Sequence, residues 1–210
     1  VSARKPKTNL ARKLDIAQIA LIVIGFLIGA GAARLSLAPV IGVGVAIAGL
    51  GVLVGGLGDV LTRSVNYADY DFNRDNRFIP FQSYRGVPAV LFGVFWVMLG
   101  ALAVAGGLAY AAGVARPALE LLRAHPSVPL LGIGLPLFFY GSATLMGPTE
   151  TSPRRSFGLF LVSLPERLGG LFLVVVGVAA IAAGCAEIVA PGTLARLLGS
   201  LRSLLPQVPR

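Results

Sequence analysis

One cysteine and one histidine in 210 residues leave this chain poor in soft metal ligands. Cys185 has no second cysteine for an intrachain disulfide, and His125 alone cannot build an imidazole or thiolate metal site. No histidine-rich or cysteine-rich cofactor site is evident, so a haem or pigment would need other ligands or apolar contacts. Charge is scarce too: 13% of residues are Asp, Glu, Lys or Arg, against roughly a quarter in a soluble globular protein. With 56% hydrophobic residues and a mean hydropathy of +0.82, the chain is neither a water-soluble domain nor a disordered one. Its 27 glycines show no three-residue period. They fall mostly in apolar runs, where small residues let membrane helices approach closely.

The acids are the scarcer charges, 9 against 18 Lys and Arg, for a net charge of +9. That excess does not point to nucleic acid. The basic residues sit at segment ends and in the N-terminal "ARKPKTNLARK", where they orient a membrane protein and meet anionic headgroups.

A membrane helix needs roughly 20 mainly apolar residues. Five stretches qualify: 18–35, 39–57, 87–113, 129–147 and 169–190. A tight turn before Pro39 makes the first two a helical hairpin. The fourth is the weakest, because Gly132, Gly134 and Pro136 interrupt a marginal length; it crosses with a kink, or it dips in and returns, leaving four spans and one re-entrant segment. A rival reading of the first stretch is a signal peptide, with a basic start and "AGAA" before a cleavage point. The expected fold is a single all-α domain over 1–210, a polytopic transmembrane helical bundle. The tail 193–207 has Leu194, Leu197, Leu198, Leu201 and Leu205 at helical spacing and suits an interfacial amphipathic helix.

With the N-terminus in the cytoplasm of a bacterial-type inner membrane, Lys and Arg are biased two to one toward the inside. The bias is the same for four crossings as for five. It places the connector 59–86 in the cytoplasm.

That connector holds the densest polar stretch, "YADYDFNRDNRFIPFQSYRG". Asp69, Asp71, Asn73 and Asp75 alternate as in the first half of a calcium loop, and are weak metal candidates. The required glycine is replaced by Arg74 and the bidentate acid by Pro80. Tyr67, Tyr70, Arg77, Phe78, Phe81, Tyr84 and Arg85 combine apolar bodies with polar ends, which suits a partner interface or a membrane-edge anchor.

Asp59 and Glu187 fall near span ends and are the candidates for intramembrane polar roles. Arg34, Glu166 and Arg167 lie at other borders. Ser142 and Ser163 have no convincing base, so no catalytic residues are assigned. The expected function is a non-enzymatic accessory subunit of a larger membrane complex, with lipid and other membrane subunits as partners. A small transporter or channel is the alternative, and a membrane-embedded lipid-processing enzyme a further one.

Overall fold

The computed structural model describes residues 9–67, 82–147, 150–151, 159–193, 195–196 and 199–200. Among these residues the main elements in chain order are α1 (Asn9–Arg34), α2 (Ala38–Thr62), β1 (Ser64–Tyr67), β2 (Gln82–Arg85), α3 (Val87–Ala111), α4 (Ala115–Ala124), α5 (Ser127–Met146), β3 (Glu150–Thr151) and α6 (Leu159–Val189). Five of them, α1, α2, α3, α5 and α6, are long and apolar enough to span a membrane. The chain is an all-α polytopic helical bundle with a small sheet at one end.

The helices exceed the apolar runs that announce them. α1 starts at Asn9 and carries Arg12, Lys13 and Asp15 in its first turns. α2 continues through Asp59 to Thr62, so the connector begins four residues later than its charge suggests. α5 is one helix with Pro136 inside it. α6 runs on from Leu159 through Pro165 without a break, starting ten residues ahead of the apolar stretch 169–190.

The α1–α2 hairpin turns on Ser36, whose φ of 56° closes the turn while the Leu37 N–H donates to the Ala32 carbonyl at 2.9 Å. Pro39 then opens α2, where a missing donor costs nothing.

Side-chain hydrophobicity does not decide which faces pack, because lipid and protein are equally apolar. Glycine decides it. On α2, Gly42, Gly49 and Gly56 recur every seven residues and face Gly107, Gly100 and Gly93 of the antiparallel α3, which repeat at the same interval. A Cβ on Gly42 would lie 2.5 Å from the Gly107 carbonyl oxygen, and one on Gly100 2.5 Å from the Leu53 nitrogen. Backbone therefore rests on backbone, and a seven-residue repeat keeps the seam facing its partner along both helices. The other face of α2, two residues on, presents Gly44 and Gly51 to Gly25 and Gln18 of α1. A third seam joins α5 to α6, where Gly134 meets Gly177 and Gly141 meets Gly170.

The helices accordingly stand in a row: α2 packs on α1 and α3, α3 on α5, and α5 on α6. Burial follows position in the row. One third (33%) of α2's apolar window is buried, but only 11% of those of α1 and α6 at the ends.

Antiparallel pairing of β2 with β3 settles the path of α5. Ser83 lies opposite Glu150 and Gln82 opposite Thr151, so the connectors after α2 and after α5 meet at one end of the row. A re-entrant α5 would leave them on opposite sides. Twenty residues at 1.5 Å per residue give α5 about the 30 Å needed to cross.

Candidate functional site

The polar end of the row is assembled from the last turn of α2, the strands, and the adjoining ends of α3 and α5. The Thr62 hydroxyl donates back to the Gly58 carbonyl at 2.8 Å, and the Ser64 hydroxyl donates to Thr62 Oγ1 at 3.1 Å. Arg63 takes the left-handed conformation, with φ of 49°, and ends α2. The Gly86 N–H donates to the Arg63 carbonyl at 2.9 Å, closing the base of a hairpin whose strands are β1 and β2. Pro88 in the next turn starts α3.

Val65 and Tyr84 are register partners on one face of this hairpin. Both are buried, at 7% and 4% exposure, over Ala89 and Phe92 of α3 and Ala143 of α5. The Tyr84 ring meets Phe92 edge-on with centroids 4.7 Å apart; Phe92 meets Tyr140 at 5.4 Å; Tyr140 meets Phe95 at 4.9 Å. This run of rings leads from the sheet through α3 to α5. Each such pair contributes roughly 0.5–1.5 kcal/mol beyond its burial. It joins the glycine-packed unit α1–α2–α3 to the glycine-packed pair α5–α6, while β3 supplies a second, backbone tie.

The sequence candidates separate clearly. Tyr67 lies in β1 opposite Gln82. Tyr84 is inside the small core, and Arg85, next along β2, is exposed opposite Ser64. Tyr70, Arg77, Phe78 and Phe81 lie outside the described residues, as do Asp69, Asp71, Asn73 and Asp75. Among the described residues no group of three or more His, Cys, Asp or Glu could hold a metal ion. Of the tail 193–207, Thr193, Ala195, Arg196, Gly199 and Ser200 are helical, and its six leucines lie outside the described residues.

Asp59 is half-buried in the last turn of α2, at the sheet end. Glu187 stands at the other end of the row, near the end of α6, where its Oε1 accepts from the Gly192 N–H at 2.7 Å and fixes the turn after the helix. The two carboxylates share no site. Arg167 has its guanidinium beside Gly147, 3.1 Å from where a Cβ would stand, and so lies against the carbonyl-rich C-terminus of α5. His125, the chain's one imidazole, follows α4 at the end away from the sheet.

Three features escaped sequence reading. Phe92 and Tyr140 lie inside apolar runs that give no sign of an aromatic bridge. β3 is two residues long and pairs with a strand more than 60 positions earlier. Helix α4 did carry a signal: Arg116, Glu120 and Arg123 fall on one helical stripe, with Ala118, Leu121 and Leu122 on the other side.

Comparisons with protein-family models, characterised proteins and solved structures find no match to this chain.

Proposed function

We propose that this protein is a non-enzymatic accessory subunit that assembles or stabilises a larger membrane protein complex. The observation that carries the reading is the clamped hairpin: two connectors are knit into one sheet and fastened by Tyr84 to the transmembrane core. A plain linker needs no such fixing. The clamp holds the base of the segment 68–81, which carries Tyr70, three Phe and two Arg, at a defined place on one end of the row, as a docking surface requires. The row supports the same reading, because its broad sides stay open and apolar: Phe26 on α1 is 70% exposed and Phe172 on α6 66%. In this reading the sheet end, with the N-terminus, faces the cytoplasm of a bacterial-type inner membrane.

The transporter and lipid-enzyme readings draw less support. Asp59 and Glu187 stand at opposite ends, on helices that do not pack together, and a row of helices does not surround a pathway.

Gentle solubilisation followed by mass spectrometry of the intact assembly tests the proposal. A stoichiometric membrane partner is expected, and replacing residues 70–79 by a Gly/Ser linker is expected to release it while the bundle remains folded. A monodisperse monomer recovered from native membranes under several mild detergents, with no stoichiometric partner, would sink the reading.

A further inference from the structure

Helix α4 lies at the end of the row opposite the sheet and has no buried residue. Its one substantial neighbour among the described elements is α3. Leu121 is 61% exposed and Leu122 36%, on the face opposite Arg116, Glu120 and Arg123. Ten residues at 1.5 Å per residue make it about 15 Å long, too short to cross a bilayer.

Its tethers fix where it lies. Three residues, Ala112 to Val114, separate it from α3, and two, His125 and Pro126, separate it from α5. Both links are hydrogen-bonded turns: the Val114 N–H donates to the Ala109 carbonyl at 3.0 Å, and the Val128 N–H to the His125 carbonyl at 3.0 Å. Gly113, with φ of 72°, makes the first bend. Since α3 and α5 are each long and apolar enough to cross a bilayer, the end of α3 and the start of α5 hold α4 at its boundary. Arg116 and Arg123 point the other way, and Arg34 and Arg196 stand at the same end of the row.

We infer that α4 is a surface-lying membrane helix, with its leucine face sunk into the boundary between headgroups and acyl chains and Arg116 and Arg123 contacting anionic headgroups. An amphipathic helix with cations on its polar face binds by this combination of buried apolar area and charge. The inference is independent of whether the bundle joins a complex.

Site-directed spin labelling of the full chain in a Cys185→Ser background tests it. The protein is reconstituted into vesicles of equal phosphatidylglycerol and phosphatidylcholine. A label at Leu122→Cys should collide with oxygen more than with an aqueous nickel chelate, and a label at Glu120→Cys should show the reverse; Ala118→Cys and Arg116→Cys repeat the contrast. The phosphatidylglycerol enrichment retained on detergent extraction should fall roughly 25-fold in Arg116→Gln/Arg123→Gln, at roughly fivefold, about 1 kcal/mol, per arginine near a surface. Equal access of the chelate to both faces would overturn the inference, as would protection of the leucine face from both reagents, which would mean that protein covers it. Unchanged phosphatidylglycerol enrichment in the double variant would overturn the headgroup contact.

Discussion

Tyr84 and Phe92 meet edge to face, with ring centroids 4.7 Å apart and planes at 73°. One belongs to the polar connector and the other to a transmembrane helix, so the contact turns a loop into part of the core. Phe92 passes the contact on to Tyr140, which places the junction between the two glycine-packed units directly beneath the sheet.

Tyr84→Ala is therefore expected to cost roughly 3 kcal/mol, as for other buried aromatics cut back to alanine, and to free the hairpin from the bundle. Tyr84→Phe keeps the ring and should retain most of that stability. Reversible unfolding in mixed dodecylmaltoside and dodecylsulfate micelles gives the first number, and limited proteolysis within 63–86 the second. Equal stability of the alanine and phenylalanine variants would show that the ring carries no load.

The same substitution at two glycines of α3 should have opposite outcomes. In Gly100→Ala the new Cβ would stand 2.5 Å from the Leu53 nitrogen and 2.8 Å from the Gly49 carbonyl oxygen. Backbone cannot give way as a flexible side chain can, so α2 and α3 must separate, at an overpacking cost of about 1–3 kcal/mol. Gly106→Ala meets nothing within 4 Å. It should be neutral or stabilise by at most about 1 kcal/mol through helix propensity. The micelle titration that reads Tyr84→Ala reads this pair as well.

These positions mark what the sequence could and could not tell. Five apolar runs are visible because length and hydropathy are local properties, and five helices among the described residues are long and apolar enough to span a membrane. Which face of each span packs is nearly invisible in hydropathy, since partner and lipid have the same polarity. Of the Gly25-x-x-x-Gly29 pair, only Gly25 points at α2, where a Cβ on it would lie 2.5 Å from the Ala48 nitrogen; a Cβ on Gly29 would meet nothing within 4 Å. The Gly51-x-x-x-Gly55 pair has a different use, because Gly55 leaves room for the carboxamide of Gln18, a polar group in a span that finds its place between α1 and α2. The seven-residue glycine intervals of α2, α3, α5 and α6 are written in the sequence and announce the seams once period is counted in place of pairs. The sheet was not legible at all: its pairing depends on two distant connectors arriving at the same end.

That arrival can be tested covalently. Gln82 and Thr151 are register partners, and directly opposed antiparallel residues have Cα atoms about 4.5–5.5 Å apart, inside the range a disulfide spans. In a Cys185→Ser background, Gln82→Cys/Thr151→Cys should form an intrachain disulfide under mild oxidation. With a protease site inserted between Arg116 and Pro117, the two fragments should stay joined on a non-reducing gel and separate on reduction. Fragments that separate without reductant would favour a re-entrant fourth segment.

Orientation is the remaining degree of freedom, and electrostatics supplies the expectation. Arg4, Lys5, Lys7, Arg12 and Lys13 precede or open α1, and Arg63, Arg74, Arg77 and Arg85 lie between α2 and α3; in a row of five crossings both groups belong to the sheet end. Cations are held preferentially on the cytoplasmic side, so an impermeant maleimide applied to intact cells should modify Glu120→Cys and leave Asn9→Cys unmodified until the membrane is opened. Replacing Lys5, Lys7, Arg12 and Lys13 by glutamine removes much of the bias and should give a mixed population, in which both positions are partly labelled from outside. Labelling of Asn9→Cys alone in intact cells would reverse the orientation and place the clamped hairpin outside, where a partner for residues 68–81 would then have to be sought.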